Sequence, residues 1–343
     1  MLKLRRCAAC LVVASLSACA TLSQPQGPLP VRNQHPAQLL VMHMPPASPR
    51  VHAAGRASVR AEAAYSSLWL IGNAPDRQWL MDGEYLRAAT TARYGLGAGL
   101  EAAVELPFAH TSGGFLDDFL IDYHDFFGFP DQDRDVAPRD DYKVQLTSSG
   151  QPVWGVDRAG VALLDVPIYA TWQVTAPASG PALAVRAGVE LPTGDAAAGY
   201  GSGAIEPSVG VLADLPGQRV HLYGHAQYTW AGTPDQAVAA GLRFADVASA
   251  GVGAEVSLHD DWNAYVQLAW EQSTLRNFGL TRTDDDQALL WLGGRFRAGD
   301  DIALEVGFGE DLIAAVAPDF SLWVGMVWSP GVWRRPGPSQ LPR

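Results

Sequence analysis

About thirteen segments of this chain alternate apolar and polar residues with a period of two, which is the periodicity of a half-covered β-strand. In the first segment, Val59 and Tyr65 share one face, and Arg60 and Glu62 share the other. The same pattern recurs from end to end, with aromatic residues near the ends of most segments. It predicts an all-β protein, a transmembrane antiparallel up-and-down β-barrel with an apolar outer surface and a polar lumen.

The first residues have the features of an export signal. Lys3, Arg5 and Arg6 precede an apolar run over 8–16. That run is shorter than the roughly 20 residues of a membrane-spanning helix. We therefore expect residues 1–18 to be a signal peptide.

The residues that follow indicate a lipid anchor. Leu16-Ser17-Ala18-Cys19 resembles a lipobox, so we expect Cys19 to be the acylated first residue of the mature chain. Cleavage after Ala20, without acylation, is the alternative. The other cysteines, Cys7 and Cys10, lie in the segment to be removed, so we expect no disulfide in the mature protein.

The rest of the chain divides by composition. Residues 19–50 are rich in proline, which predicts an extended, lipid-anchored tether. Residues 51–329 carry the alternating pattern and form the predicted barrel. Residues 330–343 are polar and proline-rich, and we expect them to be a periplasmic tail. This division places the N-terminus in the periplasm and the barrel in the outer membrane of a Gram-negative bacterium.

We predict about twelve strands, since bacterial barrels have an even number. Short connections alternate with longer ones, as periplasmic turns alternate with extracellular loops in such barrels. The segments 142–147 and 237–246 also alternate, and counting both gives the alternative of fourteen strands. The twelve predicted strands are 54–71, 83–94, 98–109, 161–174, 182–193, 203–215, 219–231, 250–259, 262–274, 286–297, 302–309 and 319–328.

Charge and surface patterning limit the partners. The formal net charge of −12 argues against a nucleic acid, because phosphate binding requires clustered lysine and arginine. Outer-membrane lipids and lipopolysaccharide are the expected surroundings, and a small-molecule solute is the expected partner in the lumen. We expect no cofactor and no metal, and the sequence leaves the oligomeric state open.

Charges of both signs share the predicted lumen face. They indicate either the wall of a selective channel or a network of cross-strand ion pairs that fills a narrow lumen. The predicted lumen charges are Arg56, Arg60, Glu62, Arg87, Arg93, Glu101, Glu105, Asp165, Arg186, Glu190, Glu206, Arg219, Glu255, Glu271, Arg295, Arg297 and Glu305.

The connection over 110–160 is the longest between strands, and its first part has the pattern of an amphipathic helix. Aromatic residues recur at helical spacing, and acidic residues occupy positions between them. We predict an extracellular loop that is partly helical. It either controls access to the barrel or packs its aromatic stripe on the rim. The predicted gating residues are Phe115, Asp117, Phe119, Asp122, His124 and Phe126.

One pair of residues suggests an enzymatic alternative. His110 and Ser112 have the H-x-S spacing of outer-membrane acyl hydrolases, in which histidine is the base that activates serine. The asparagines that flank such motifs are replaced by Ala109 and Gly113, and no orienting carboxylate is evident. We therefore expect a protein that is not an enzyme.

Three stretches resemble an uncharacterised bacterial family, the domain of unknown function 3187. They are Gly27-Pro28-Leu29-Pro30-Val31-Arg32-Asn33-Gln34-His35-Pro36, the pair Gly113–Asp117 and Asp122–Pro130, and Gly309–Leu312 with Pro318-Asp319-Phe320. The resemblance implies an outer-membrane barrel and no assigned activity. We therefore expect a non-enzymatic channel or small-molecule passage gated by loop 110–160. The alternatives are the His110/Ser112 acyl hydrolase and a closed structural barrel.

Overall fold

The computed structural model describes residues 26–118, 121–122, 126, 139–156, 160–175, 180–313 and 316–330. The predicted acylation site Cys19 and the loop residues Phe119 and His124 lie outside these ranges. Within them, no helix combines the length and the apolar character needed to cross a bilayer.

The strands form one antiparallel sheet that closes through a pairing of its first and last strands. In that pairing Val59 lies opposite Trp328 and Ser67 opposite Phe320. The strands are β1 (Ala57–Asn73), β2 (Arg77–Gly97), β3 (Leu100–Ser112), β4 (Lys143–Ser148), β5 (Gln151–Val156), β6 (Gly160–Leu163), β7 (Val166–Gln173), β8 (Ala182–Leu191), β9 (Glu206–Leu215), β10 (Val220–Thr229), β11 (Val247–His259), β12 (Trp262–Glu271), β13 (Gln287–Arg297), β14 (Ile302–Asp311) and β15 (Phe320–Trp328).

Twelve strands make the closed ring, which confirms the predicted fold. β4 and β5 form a hairpin, and β4 pairs with residues 77–82 of β2, beyond the part of β2 that pairs with β3. β6 and β7 both pair with β3 and act as one interrupted strand. The alternative of fourteen strands is wrong, because β4 stands outside the ring and the other segment contains a short α-helix, Asp235–Ala239.

The barrel has two distinct ends. At one end, which we call the turn end, short connections such as 98–99 and 260–261 join the strands. At the other, the loop end, the connections are longer. Along β12, Val266 and Leu268 face outward and are 46% and 44% exposed, whereas Tyr265 and Gln267 face the lumen and are buried. The outer surface is therefore apolar and the lumen polar.

Residues 26–53 lie inside the barrel, which differs from the extended tether that we expected over 19–50. We call residues 26–53 the lumen segment. It rises from the turn end to a short 3-10 helix at Gln38–Leu40 and then returns to the turn end before β1. Most of its residues are buried, among them Leu29, Asn33 and Met44. An extended, proline-rich chain makes few hydrogen bonds within itself, and the polar lumen supplies partners for it.

An apolar cluster covers the lumen segment at the loop end. Ala37 and Leu40 of the segment pack with Leu68 of β1, Trp79 of β2 and Phe278 of a connecting loop. We call this cluster the apolar cap. Its other buried members include Leu70, Met81, Tyr85, Val144, Leu146, Leu164, Tyr200, Leu242, Phe244, Leu275, Leu280 and Val316.

The long loop 110–160 begins on the outer side of the barrel wall. The main-chain N–H groups of Phe115 and Leu116 donate to Glu84 of β2, and the Phe115 ring stacks on Tyr65 of β1 at 5.8 Å. Tyr65 and Glu84 belong to the outward-facing set of their strands. The described start of the loop is thus directed away from the lumen.

The later part of the same loop contributes to the apolar cap. Val144 and Leu146 of β4 are buried there beside Trp79 and Met81. Tyr142 packs against the same cluster, and its burial raises the pKa of the phenol to about 12. The hairpin β4–β5 therefore extends the wall above β2 and helps to close the loop end.

Candidate functional site in the barrel lumen

The rising limb of the lumen segment is bound to the wall at successive heights. Near the turn end, the main-chain N–H of Gly27 donates to the Tyr223 hydroxyl at 3.1 Å. Higher up, Gln267 both accepts from the N–H of Leu29 at 2.8 Å and donates to its carbonyl at 3.0 Å. At Leu29 both the main-chain N–H and the carbonyl are hydrogen-bonded, as they would be beside a neighbouring strand, but the partner is a side chain of the wall.

Arg32 is the one charged side chain of this limb. Its guanidinium forms a 2.7 Å ion pair with Glu105 of β3, and both side chains are under 5% exposed. Glu105 also accepts from Arg87 of β2, which in turn reaches Glu62 of β1. Buried charges require such pairing, because an unpaired ion in the interior costs several kcal/mol.

The top of the lumen segment converges on one carboxylate. Glu271 of β12 accepts from the side-chain amides of Asn33 at 2.7 Å and Gln38 at 2.9 Å. The His43 ring lies 3.2 Å from the same carboxylate. Glu206 of β9 accepts from the N–H of Met42 at 2.6 Å. Two glutamates therefore hold the bend of the segment.

The descending limb returns along the opposite side of the barrel. Arg186 of β8 donates to the carbonyl of Pro45 at 2.8 Å. Arg50 forms a 2.7 Å ion pair with Asp214 of β9.

The last contact of this limb fixes its exit. The main-chain N–H of His52 donates to Glu101 of β3 at 2.9 Å, and the His52 ring lies 2.5 Å from the same carboxylate. Both limbs therefore end at the turn end.

The predicted lumen charges separate into three groups by exposure: most are buried in the lumen, a few are half-buried, and two are exposed. Glu305 binds Arg60 and Arg295 on the wall itself, and Glu101 binds Arg93 as well as the lumen segment. Arg56 and Arg219 are exposed outside the strands, at the turn end. The wall thus contains cross-strand ion pairs, and some of their carboxylates also accept hydrogen bonds from the lumen segment. Buried in the lumen are Glu62, Arg87, Glu101, Glu105, Asp165, Arg186, Glu190, Glu206, Glu255, Glu271, Arg295 and Glu305, while Arg60, Arg93 and Arg297 are half-buried.

Several functional residues were missed because they carry no charge or lie outside the strands. Tyr169, Tyr223 and Tyr265 share the lumen face with the charged residues and are buried. Their parity along the strands could have revealed them. Asp214 stands on the same face of β9 and could have been found in the same way. The lumen segment itself carried no periodic signal.

A cavity remains between the two limbs of the lumen segment and the wall formed by β1, β2, β3, β7 and β8. Its volume is about 70 Å³. Its charged and hydroxyl-bearing lining residues are Arg32, Arg60, Glu62, Thr91, Arg93, Glu101, Glu105, Tyr169, Thr171 and Arg186, together with Ser48.

His110 and Ser112 lie near each other on one strand but are not hydrogen-bonded to each other in the described residues. Both are on the outward face of β3, and alternate residues of a strand are roughly 6–7 Å apart. Ser112 lies opposite Glu84. That carboxylate already accepts from Tyr65, Phe115 and Leu116. Neither side chain of the pair donates to the other in the described part of the loop end.

The predicted gating residues are only partly described. Phe115 and Phe126 are 71% and 81% exposed, and Asp122 is exposed. Asp117 is buried and accepts from the N–H of Asp140 at 2.8 Å. Across the described ranges, histidine, cysteine and acidic residues form no group of three that could hold a metal ion.

A protein-family model described as "Protein of unknown function (DUF3187)" matches residues 4–329 of the chain. No curated protein sequence matches. Among solved structures, the fold is similar to the COG4313 outer membrane channel from Pseudomonas putida F1, with a TM-score of 0.54 and 10% identity over 84% of this chain and 100% of that chain.

Two other solved structures are less similar. The NanC porin has a TM-score of 0.45 and 8% identity over 79% of this chain and 98% of that one. The P. putida toluene transporter TodX has a TM-score of 0.37 and 9% identity over 83% and 92%. At these identities the similarity to the channel from P. putida F1 concerns the barrel fold alone.

Proposed function

We propose that this chain, which belongs to the DUF3187 family because the family model covers residues 4–329, is an outer-membrane passage for small solutes in a Gram-negative bacterium. In the state described above, the lumen segment closes the passage. The apolar outer surface of the barrel and its similarity in fold to an outer membrane channel support the membrane location.

One observation carries the proposal. The lumen of the closed ring is occupied by a single stretch of chain, 26–53, which enters and leaves at the same end. Along both limbs, wall side chains bind its main chain, as Gln267 binds Leu29 and Arg186 binds Pro45. A segment held in this way can leave without breaking a strand pairing. Its departure would expose a lumen lined by charged residues.

Loop 110–160 is a second proposed element of access control. Val144 and Leu146 of its hairpin support this role, since they belong to the apolar cap above the bend of the lumen segment. The described start of the loop, Phe115 and Leu116, binds the outer side of the wall instead. We therefore assign the main closure to the lumen segment and a supporting role to the loop.

The two other functions are less well supported. The acyl hydrolase needs a proton transfer between His110 and Ser112, and these two side chains form no hydrogen bond with each other in the described residues. A closed structural barrel would be expected to fill its lumen with wall side chains alone. The present lumen instead has a separable occupant, residues 26–53, and a small remaining cavity of about 70 Å³.

Planar-bilayer conductance tests the proposal directly. A variant without residues 26–53 should conduct far more than the full chain. A variant without residues 115–129 isolates the contribution of the loop. Retention of the heat-modifiable folded band on gels shows that each barrel is intact. If only the loop deletion opens the barrel, the lumen segment is not the main closure; if neither does, the closed structural barrel is favoured.

A cross-linked variant tests the same closure without a deletion. A Cβ added at Gly307 would lie 3.6 Å from Val31 Cγ1, so the pair Val31→Cys and Gly307→Cys can join the segment to β14. The native cysteines all lie within the first 19 residues of the chain. We expect openings in the reduced pair and none in the oxidised pair. Equal conductance in both states would contradict the proposal, and each single cysteine variant is the control.

A further inference from the structure

The first residues of the long loop form an outer layer on the barrel wall, and we call residues 113–118 the wall layer. Glu84 faces outward on β2 but is only 2% exposed. Phe115 and Leu116 lie over it, and their main-chain N–H groups donate to its carboxylate at 2.7 and 2.5 Å. On β15, which adjoins β1, the outward-facing Leu322 is 45% exposed. The wall layer therefore covers a patch that would otherwise belong to the outer surface.

The wall layer is held closely on both sides of Phe115. Gly114 has a φ of +80°, and a Cβ at this position would collide with the Glu84 carboxylate. On the other side, the Asp117 carboxylate accepts from the main-chain N–H of Asp140 at 2.8 Å. The position of the Phe115 ring on the outside of the barrel is therefore fixed by its neighbours.

Phe115 presents its ring to the surroundings of the barrel. The ring stacks on Tyr65 of β1 at 5.8 Å, and the side chain is nevertheless 71% exposed. Transfer of an aromatic ring from water to an apolar medium is favourable. The layer thus covers a carboxylate of the wall and places an apolar side chain above it.

The strand register places this ring at the level of other outward-facing apolar residues. Tyr65 lies opposite Leu322 of β15, and Leu322 lies opposite Phe308 of β14. Phe308 in turn packs on Phe320, with the ring centres 5.4 Å apart. Outer-membrane barrels have such aromatic residues where the wall meets the lipid head groups. Phe115 therefore continues the apolar surface across β1, above the Tyr65 ring that it covers.

The charges beside Phe115 limit the chemistry of its partner. Asp118, Asp140 and Asp141 are exposed. The neighbouring Arg139 forms an ion pair with Asp118. An acidic surface of this kind repels phosphate groups. Acyl chains carry no charge and match the exposed ring.

We propose that the wall layer is a membrane-contacting element, in which Phe115 inserts among the acyl chains of the outer-leaflet lipids. Its exposed ring is continuous with the lipid-facing wall through Leu322 and Phe308. Main-chain N–H groups at membrane depth require partners, and Glu84 supplies them for Phe115 and Leu116. This contact is separate from the passage of solutes, since it lies on the opposite side of the wall from the lumen.

Photolabelling of the full, folded protein in lipid vesicles tests this contact. The probe is a phosphatidylcholine with a diazirine within one acyl chain, and mass spectrometry of peptides locates the label. We expect label on the peptide that contains Phe115 and on the peptide that contains Leu322, the lipid-facing reference of similar height. The peptide that contains Val238, exposed on the short helix Asp235–Ala239 at the loop end, should remain unlabelled.

Phe115→Ser tests whether the ring makes the contact. Labelling of the wall layer should fall at least about fivefold, and labelling at Leu322 should not change, because a serine side chain has little affinity for hydrocarbon. Val238→Ser is the matched control and should change neither. Addition of anionic phosphatidylglycerol to the vesicles should not raise the labelling, because the exposed carboxylates repel its phosphate.

Three results would overturn the proposal. The first is label at Leu322 with none on the wall layer of the native protein, a result that needs no variant to fold. The second is equal labelling of the wall layer in the native protein and in a folded Phe115→Ser variant. The third is labelling that requires phosphatidylglycerol, which would identify a head-group site instead. Each leaves the passage intact, because conductance is measured separately.

Discussion

Glu105 shows how one residue joins the barrel wall to the lumen segment. It receives Arg32 from the segment and Arg87 from the neighbouring strand, and it is 1% exposed. Removal of its charge would leave two buried guanidinium groups with fewer partners. Breaking a buried pair in this way is far more costly than losing an exposed one.

Glu105→Gln should therefore lower the free energy of unfolding by about 3–5 kcal/mol, measured by urea unfolding in lipid vesicles. Glu310→Gln is the matched control, since Glu310 lies at the end of β14 and makes no ion pair within the described residues. Its effect should be below about 1 kcal/mol. A similar loss for both variants would show that Glu105 has no special role.

Leu268 tests the outward face at the same scale. It is 44% exposed on the apolar surface, near the middle of β12. Leu268→Arg should cost about 2–4 kcal/mol of folding free energy in lipid vesicles, because a charge near the bilayer midplane loses its hydration. Val220→Arg is the control at the turn end of β10, where the cost should fall to about 0–1 kcal/mol. Equal costs at the two depths would contradict the membrane placement.

At the residue scale, sequence alone predicts the side of the wall on which a residue stands but not its partner. The alternation places Glu105 and Glu271 in the lumen, because a strand reverses side at every residue. Their partners Arg32 and Asn33 are remote in sequence and belong to a segment without periodicity. Pairing between such distant positions depends on the closed barrel as a whole.

At the scale of elements, the strands were predictable and the irregular elements were not. Each predicted strand overlaps an observed one, because a strand between lipid and a polar lumen must alternate. The interruption between β6 and β7 escaped prediction. There, Asp165 turns from strand pairing to accept the N–H groups of Gly194 and Ser202. That arrangement depends on a neighbouring loop, which periodicity does not report.

The lumen segment could not have been predicted from its own sequence. Proline prevents regular strand pairing and gives an extended chain, which is also the composition of a flexible linker. A bound extended segment and a flexible linker therefore differ in the surface available to bind them, and not in their composition. Glycines, which have no side chain, leave room on the lumen face where the segment packs, with Gly293 beside Leu29 and Gly188 beside Met42. The stretch Gly27–Pro36, which carries the family resemblance, forms most of the rising limb.

The attachment of this element can be weakened at one point. Gln267→Ala removes both side-chain hydrogen bonds to Leu29. Amide hydrogen exchange at Leu29 should then become at least about fivefold faster, whereas exchange within β12 should not change, because local release does not require strand separation. Leu268→Ala, on the outer face of the same strand, is the control. Faster exchange throughout β12 would mean that segment and barrel open together.

At the scale of the whole molecule, the two ends of the barrel are closed in different ways. The loop end is covered by the apolar cap, which includes Trp79 and Phe278. The turn end holds polar contacts such as Arg50 with Asp214 and His52 with Glu101. Exposure of the cap to water would be costly, whereas the polar contacts can be exchanged for water. The lumen segment should therefore leave through the turn end.

A lipid on Cys19 would limit that movement. Only six residues lie between Cys19 and Gln26, the first described residue of the lumen segment, so the seven Cα–Cα steps of an extended link span about 25 Å at most. Anchored at the membrane surface, the rising limb stays close to the barrel mouth after it leaves, and its effective concentration there remains high. We therefore propose that acylation favours rapid reclosing.

Cys19→Ala should leave the barrel folded and lengthen its open periods in planar bilayers at least about tenfold, because the released segment is no longer confined. Mass spectrometry of the mature native protein should show a lipid-modified N-terminal cysteine. Ser17→Ala, within the segment expected to be removed, is the control for export. An unmodified N-terminus at Thr21 would refute acylation. Unchanged open periods in the Cys19→Ala variant would refute a role of the lipid in closure, because a lumen segment that recloses equally well without an anchor must be held by its contacts with the wall alone.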